Sequence, residues 1–422
     1  MEHENGSTRR VQRLKCCVQN YDWGRIGTQS GVGRLFSRNS GVEIDQDKPY
    51  AELWMGTHVS APSFLVDILE NDGNFVTLEK WIQQNPNVLG DKVVQNWGTR
   101  LPFLFKVLSI RKALSIQAHP DKRLAEILNN ANPNTYRDDN HKPEMVIAVT
   151  DFEALCSFIT FEELKVVLQD VPEISVIVGT AYTEQVLNVR KQDEQEKGKA
   201  VLQSIFTQLM SANKEVISTM LRSLIDRLMD EKKARILTSK ERLVLRLQNE
   251  YPDDVGVIAS LFFNYVKLDP GEALYLGANE PHAYIYGECI ECMATSDNVV
   301  RAGLTSKKRD IEILCSMLTY NQSFPEILKG VPINSNTRRY TPPFDEFEVD
   351  HCILQQGASV IFSAQPGPSI FLVTSGNGTM HSETGDIVSE GDVLFAPAST
   401  EISVTAASEL HLYRAGINSR VF

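Results

Sequence analysis

Four side chains that are able to bind a single metal ion lie in separate parts of the sequence. Gln117 and His119 are two positions apart, whereas Glu144 and His282 lie further along the chain. If the first two belong to a strand, their side chains point to the same face. Two imidazoles and a carboxylate are ordinary ligands of a divalent transition metal, and a glutamine carbonyl is a less usual one. These residue types predict one metal centre, with a further position for water or substrate.

Composition is that of an ordinary globular protein. The 422 residues are 42% hydrophobic and 23% charged, which predicts two or three domains. Residues 1–10 lack the apolar core of a signal peptide, and no run is long enough to span a bilayer. Seven scattered cysteines favour reduced thiols. We therefore expect a cytoplasmic protein with no membrane partner, and a net charge of −12 argues against nucleic acid.

Cys289 and Cys292 form an isolated C-x-x-C pair. No second pair accompanies it, and the surrounding residues read as a strand. We interpret the two cysteines as part of that strand rather than as a metal or redox site.

Two apolar segments near the first candidate ligands read as neighbouring strands. Residues 101–109 form an almost continuous apolar run that suits a buried strand, and residues 113–119 follow after a basic turn. Lys106 is the one charge in the first run. Its ammonium group either extends to the surface or has a buried role.

Helical periodicity begins at Thr160, a polar cap that is followed by acidic residues. Apolar residues then recur at helical spacing to about residue 250, and the polar residues 190–199 are predicted as a loop or a frayed helix end. Residues 160–250 therefore form a helical insert, and its apolar stripes are best explained as core.

Strand patterns return after the insert and occur twice. Residues 261–268, a turn and residues 273–276 resemble paired strands of a jelly roll, and residues 388–395 repeat the turn-then-strand pattern. Aligning Gly391 with Gly271 puts Ile402 in the position of His282. The predicted fold is mainly β with an α-helical insert. It has a catalytic barrel from 1–159 and 251–330, and a degenerate barrel at 331–422 without the metal ligand.

Longer motifs carry a specific resemblance. Residues 136–144 and 282–307 resemble the two signatures of the type I phosphomannose isomerases, and residues 20–24, 50–58 and 115–122 support the match. Ser306 stands where the family usually has proline before the lysine. The resemblance extends in order from about residue 20 to residue 310.

This resemblance implies a cupin-type fold and a zinc enzyme that interconverts mannose 6-phosphate and fructose 6-phosphate, linking glycolysis to GDP-mannose supply. Its small-molecule partner is a sugar phosphate, and we expect a monomer or weak homo-oligomer. The family's ligands for one Zn²⁺ per chain correspond to Gln117, His119, Glu144 and His282. The resemblance also implies that Arg301 is required for catalysis and that Lys142, Glu291 and Asp297 lie in the pocket.

Isomerisation moves a proton between C1 and C2 while negative charge builds on the sugar oxygens. Zinc and the fixed cation of Arg301 would stabilise that enediolate, although Arg301 could instead pair with a carboxylate for stability. Glu291 is the first choice as proton carrier, with His141 and Lys142 as alternatives.

The phosphate needs cations of its own. Lys106 or Lys307, with Ser115 as hydrogen-bond donor, are the predicted phosphate ligands. The remaining histidines have no such context and are interpreted as structural or surface residues: His58, His351, His381 and His411.

Two other functions remain open from sequence. Two histidines and a glutamate also form the facial triad of non-haem iron oxygenases, but Gln117 would fill a position that such an enzyme needs open. The second alternative is a metal-binding cupin without catalysis. The density of polar groups that the resemblance gathers around one site argues against it.

Overall fold

The computed structural model describes residues 11–69, 74–190, 197–382 and 385–422. Residues 1–10 and most of the predicted loop at 190–199 lie outside this description. The described chain is mainly β-sheet with a helical insert, so the predicted fold class is confirmed. None of its helices has both the length and the apolar character needed to cross a membrane.

Eleven strands precede the helical insert. They are β1 (Gln12–Lys15), β2 (Cys17–Gln19), β3 (Arg25–Ile26), β4 (Pro49–Tyr50), β5 (Glu52–Met55), β6 (Phe64–Leu69), β7 (Phe75–Thr77), β8 (Phe103–Ile110), β9 (Ile116–Ala118), β10 (Glu144–Ala148) and β11 (Phe152–Phe158).

The remaining strands follow the insert. They are β12 (Phe263–Leu268), β13 (Ala273–Leu276), β14 (His282–Ala294), β15 (Val300–Gly303), β16 (Ile327–Leu328), β17 (Val331–Pro332), β18 (Thr337–Tyr340), β19 (Glu348–Leu354), β20 (Ser359–Phe362), β21 (Ser369–Ser375), β22 (Asn377–His381), β23 (Gly385–Ser389), β24 (Val393–Ala396), β25 (Ile402–Ala406) and β26 (Leu410–Gly416).

Half of the twelve α-helices in the described chain belong to the insert. The helices are α1 (Gly31–Ser40), α2 (Leu78–Gln84), α3 (Asp91–Trp97), α4 (Lys122–Ala131), α5 (Phe161–Asp170), α6 (Pro172–Val178), α7 (Thr180–Leu187), α8 (Lys199–Ser211), α9 (Lys214–Glu231), α10 (Ser239–Glu250), α11 (Val255–Ala259) and α12 (Ile311–Met317), and those of the insert are α5 to α10.

The long strand β14 organises the catalytic barrel. Its His282 end pairs with β9 and β11, and its other end pairs with β8 and β10. Gly287, at φ 115°, lies between the two parts, where a Cβ would approach the Asp151 carbonyl oxygen to 2.5 Å. Residues 101–109 and 113–119, predicted to be neighbouring strands, do not pair with each other. Strands β8 and β9 both pair with β14, because it is long enough to serve two partners along one edge.

Cys289 and Cys292 also lie on β14. They are three positions apart, so their side chains point to opposite faces, where each is fully buried in a different apolar cluster. Burial raises the pKa of both thiols. The two cysteines therefore form neither a disulfide nor a shared metal site.

The turn that was predicted to repeat does repeat. Gly271 and Gly391 have φ values of 86° and 90°, and each precedes a short buried strand by two positions. His282 and Ile402 are each the first residue of the following strand. The flanking strands do not pair with each other, contrary to the prediction: β12 pairs with β11, and β13 with β10 and β16. In a jelly roll, a short turn can carry the chain between sheets instead of closing a hairpin.

The helical insert begins as predicted. The Thr160 side chain accepts a hydrogen bond from the Glu163 amide, and the Glu163 carboxylate accepts one from the Thr160 amide, which forms a capping box. The insert packs onto the barrel through aromatic rings. Phe206 contacts Phe158 edge-on with ring centroids 5.1 Å apart, and Phe158 lies 5.1 Å from Phe263.

The two halves of the chain share a sheet. Strand β1 pairs with β24 on one side and β6 on the other, within a nine-stranded sheet that also contains β26, β21 and β19. A buried apolar layer lies between this sheet and the catalytic barrel. It includes Phe105 and Ile290 from the barrel and Phe395 and Tyr413 from the sheet. The domain boundaries at 159, 250 and 330 stay a prediction.

Candidate active site

A cavity of about 780 Å³ lies against the catalytic barrel. Strands β5, β8, β9, β10, β14 and β15 all contribute side chains to its wall. The predicted site residues line it with three exceptions: His119 and His282, which are buried beside Glu144, and His141, the alternative proton carrier. The fold therefore gathers the whole predicted set in one place.

Strand register aligns the candidate metal ligands. Gln117 on β9 is paired with His282 on β14 and with Arg301 on β15, so the three side chains project from the same face. Glu144 Oε1 lies 3.3 Å from His119 Nε2 and 2.8 Å from His282 Nε2. Within the described chain, these two histidines and Glu144 are the one group of His, Cys and carboxylate ligands gathered closely enough to hold a metal ion.

The hydrogen bonds of the two histidines fix their tautomers. Nδ1 of His119 lies 2.7 Å from the Asn298 carbonyl oxygen, and Nδ1 of His282 lies 2.9 Å from the Glu280 carbonyl oxygen. A carbonyl oxygen only accepts, so both Nδ1 atoms carry a proton, and in the neutral rings both Nε2 atoms present a lone pair. This arrangement is typical of metal-bound histidine.

These lone pairs converge on an anion. His282 Nε2 is buried without a hydrogen-bond partner, although it lies close to Glu144 Oε1. Two lone pairs and a carboxylate in contact repel one another unless a cation lies between them. Gln117 Oε1 accepts one bond, from Ser115 Oγ at 3.1 Å, and retains a second lone pair. The residues present therefore fit a divalent metal.

Electrostatics favour the ligand forms of these groups. Burial, helped by the nearby Lys142 cation, lowers the pKa of His119 to about 4. Burial alone would raise the pKa of Glu144, but Lys142 and His119 outweigh it and hold that pKa well below the usual value. Lys142 Nζ is 3.7 Å from Glu144 Oε2. A neutral imidazole and an ionised carboxylate are the states that bind metal.

A second row of polar side chains crosses β5, β8 and β14. Trp54, Lys106 and Glu291 are paired in register, and Lys106 Nζ lies 3.1 Å from Glu291 and 3.2 Å from Glu52. Lys106 is only 6% exposed, so it does not extend to the surface. Burial raises the pKa of Glu291, and the Glu144 and Glu52 carboxylates raise it further against the opposing effect of Lys106. Glu52, which sequence reasoning missed, completes this row.

Arg301 and Lys307 are two of the uncommitted cations that line the cavity, together with Arg137. In the described part of the chain, neither the Arg301 nor the Lys307 side chain has a hydrogen bond or an ion pair, and burial lowers the pKa of Arg301. Arg301 is therefore not a structural partner of a carboxylate, which was the alternative left open by the sequence. Both cations face the cavity and are available to an anionic ligand.

His58, which was interpreted as structural or at the surface, is not at the surface. Its buried ring lines the cavity, with Nε2 3.2 Å from Asp297 Oδ1. The hydrogen bond to His58 lowers the pKa of Asp297. His58 ends the stretch 50–58 that supported the family resemblance, and this was the available signal. His141, by contrast, does not line the cavity, and its Nε2 lies 2.5 Å from Glu346 Oε1.

Among the described residues of 331–422, no group of histidine, cysteine and carboxylate side chains equivalent to this site is present. Ile402 is 1% exposed within the core of the C-terminal strands. His351 there stacks on Tyr413 with ring centroids 4.2 Å apart, as expected of a structural histidine.

The fold and the site together define a cupin with a candidate metal centre in a cavity rich in charged groups. Three family models match the chain: the catalytic domain of type I phosphomannose isomerase at residues 11–161, its helical insertion domain at 177–263 and its C-terminal region at 340–382. The chain belongs to the type I phosphomannose isomerase family. The predicted family, cupin fold and enzyme class are thereby confirmed.

Relatives match nearly the whole chain. Mannose-6-phosphate isomerase 1 of Arabidopsis thaliana is 58% identical over 98% of this chain and 95% of its own length. The Schizosaccharomyces pombe mannose-6-phosphate isomerase is 38% identical over 94% and 97%. A crystal structure of a Salmonella typhimurium phosphomannose isomerase mutant superposes with a TM-score of 0.80 at 29% identity, over 97% of this chain and 99% of that one. A mannose 6-phosphate isomerase bound with zinc and yttrium gives 0.79 at 28%, over 97% and 99%.

Proposed function

We propose that the protein interconverts D-mannose 6-phosphate and D-fructose 6-phosphate with one zinc ion per chain, through an enediolate. The observation that carries this proposal is the alignment of Arg301, Gln117 and His282 across three strands. It puts a free guanidinium beside a candidate metal centre on one face of a cavity that is lined by further cations. The predicted cytosolic location is part of the proposal, and seven free cysteines fit it.

Gln117, His119, Glu144 and His282 would hold the metal. When bound, a divalent ion supplies positive charge close to the sugar oxygens on which negative charge develops. Arg301 adds a second, non-titrating cation with two parallel donors, so the planar enediolate is matched from one side by a planar guanidinium. The enzyme thus stabilises the charge that appears only during the reaction.

Glu291 carries the proton in this mechanism. Its carboxylate takes the proton from C2 of the open-chain aldose and returns it to C1, while the hydroxyl proton of O2 passes to O1, giving the ketose. The reverse steps run from fructose 6-phosphate. A pKa raised by burial suits a group that must both accept and release a proton near neutral pH. Lys106 fixes the carboxylate at 3.1 Å. Lys142 remains an alternative because it also lines the cavity, whereas His141 does not.

The phosphate is bound at the Ser115 and Lys307 side of the cavity. Lys106 was an equal candidate from sequence, but two carboxylates already surround its ammonium group. We therefore assign Lys106 to holding Glu291, and Lys307 to the phosphate together with the Ser115 hydroxyl, which would turn from Gln117 Oε1 to donate to it. Lys307 has no partner among the described side chains, so no ion pair must break when phosphate binds.

The decisive experiment is an assay of the purified protein with mannose 6-phosphate, with and without a chelator. We expect fructose 6-phosphate to form, to disappear after chelation and to return with zinc. The matched substrate control is glucose 6-phosphate, which differs only at C2. Oxygen consumption without isomerisation would instead indicate an oxygenase. Metal binding with no turnover would indicate a non-catalytic cupin.

Replacing Arg301 with lysine should lower kcat on the order of a hundredfold while metal content and folding stay normal. Lysine keeps the charge but loses the paired donors, so the loss reports geometry. Steady-state kinetics measures kcat, and elemental analysis measures the metal content. Arg227→Lys in the insert, away from the cavity, is the control and should behave as wild type. A nearly normal kcat with a greatly raised KM would show that Arg301 anchors the ground state instead.

A further inference from the structure

The segment that joins the helical insert back to the barrel forms hydrogen bonds with the cavity wall at two points. The first lies just after α10. Glu250 accepts a hydrogen bond from the Ala113 amide at 2.9 Å, and the Tyr251 hydroxyl donates to the Ala113 carbonyl oxygen at 2.5 Å. Both backbone groups of Ala113 are thus held by the last residue of the insert and the residue that follows it. Ala113 lies two positions before Ser115, the proposed phosphate donor.

The second point is Asp254, at the start of α11. One carboxylate oxygen accepts from the Leu304 amide at 2.7 Å and the Gly256 amide at 2.6 Å, and the other accepts from the Thr305 amide at 3.2 Å. Leu304 has a φ of 54°, an unfavourable conformation for a leucine that needs support from its surroundings. Asp254 itself does not line the cavity, but Leu304 and Thr305 do.

Close backbone packing reinforces this contact. A Cβ on Gly303 would lie 2.5 Å from the Gly256 Cα, and a Cβ on Gly256 would lie 2.4 Å from the Leu304 nitrogen. The start of α11 and the end of β15 therefore touch without intervening side chains. A small displacement of Asp254 would be transmitted directly to residues 304–307.

The two backbone segments that are held by these hydrogen bonds meet at the proposed phosphate site. Gly303 is paired with Ile116, so Ser115 and Leu304 leave the β9–β15 pair at the same end. Lys307 lies three positions beyond Leu304. Further along the same pair of strands, Arg301 is paired with Gln117 at the candidate metal centre.

We infer that Asp254 is a positioning residue through which the helical insert sets the affinity of the cavity for the phosphate group. This rests on the proposed function, since it assumes that Ser115 and Lys307 bind the substrate phosphate. Asp254 fixes the backbone that carries Lys307, while Glu250 and Tyr251 fix the backbone that carries Ser115. The insert thereby governs substrate binding more than the proton transfer.

Replacing Asp254 with asparagine tests this inference. Asparagine keeps the shape of the side chain but loses the negative charge to which the backbone amides of residues 304 and 305 donate. We expect the KM for mannose 6-phosphate and the competitive inhibition constant of inorganic phosphate to rise together, by roughly tenfold. Metal content should stay the same, and kcat should change much less. Calorimetric titration with inorganic phosphate gives the same comparison without turnover.

Glu173→Gln is the matched control. Glu173 is a buried carboxylate of the insert that Arg227 holds with two hydrogen bonds, so its loss should lower the unfolding temperature without changing phosphate affinity. If Asp254→Asn does not fold, Tyr251→Phe removes only the hydroxyl donor to Ala113 and should weaken phosphate binding in the same direction.

Normal phosphate affinity in a folded Asp254→Asn or Tyr251→Phe variant would overturn the inference. An equal weakening in Glu173→Gln would also overturn it, because the effect would then be general destabilisation. If the wild-type protein binds phosphate but forms no fructose 6-phosphate, the proposed function fails. The titrations still decide the role of Asp254.

Discussion

A His282→Ala variant should retain much less than one equivalent of zinc and lose isomerase activity by on the order of a thousandfold. The imidazole is buried, its Nδ1 is held by the Glu280 carbonyl, and its Nε2 lone pair has no other use in the described structure. Alanine removes that ligand and leaves a buried space that no other side chain fills. Metal affinity, measured by competition with a chromogenic chelator, should fall on the order of a hundredfold or more.

His351→Ala is the control, since His351 is also a histidine ring in contact with an aromatic side chain but lies in the degenerate barrel. It should keep one zinc per chain and full turnover. Full activity in metal-free wild-type protein would refute the metal proposal. A second tightly bound equivalent that survives in His282→Ala would show that the C-terminal barrel also binds metal, against the position of Ile402.

A Glu291→Gln variant should lose activity by a factor of about 10² to 10⁴, the usual contribution of a positioned acid–base group. Glutamine has nearly the same size and can still contact Lys106, but it cannot take a proton from carbon. In D₂O, wild-type protein should incorporate deuterium at C1 or C2 of the sugar, and the variant should not. Zinc content should remain normal.

Glu288→Gln is the control on the same strand. Glu288 points away from the cavity and binds Ser109 Oγ at 2.6 Å and the Gly31 amide at 2.8 Å. Its replacement should leave deuterium incorporation intact. If Glu291→Gln exchanges deuterium at the wild-type rate, the proton carrier is another group, and Lys142 becomes the first candidate.

Local patterns were enough to predict the helix start at Thr160 and the geometry of the repeated turns. Both depend on neighbours within a few positions: a cap with its third residue, and a glycine at positive φ before a strand. The alternation of side chains on a strand likewise indicated the face on which Gln117 lies, where it is paired with His282, because that periodicity does not depend on which strand is the partner.

Strand partners could not be predicted in the same way. β8 and β9 are both formed by apolar runs, yet β14, the strand with which both of them pair, comes after the insert in the sequence. For the same reason the sequence could not show that Lys106 is buried between Glu52 and Glu291, or that His58 reaches Asp297. These contacts are set by register between distant segments, and a single sequence carries no local trace of register.

The position of β1 between β6 and β24 has a consequence for how the protein is made. Arg13 and Ile387, whose side chain and carbonyl oxygen are hydrogen-bonded, are 374 positions apart. Because a ribosome adds roughly 5–20 residues per second, the first strand emerges many seconds before its β24 partner exists. During that time its open edge must be kept from pairing with another nascent chain. The nine-stranded sheet is completed only near the end of translation. This protein's demand for chaperones should therefore be greatest while its last barrel is being synthesised.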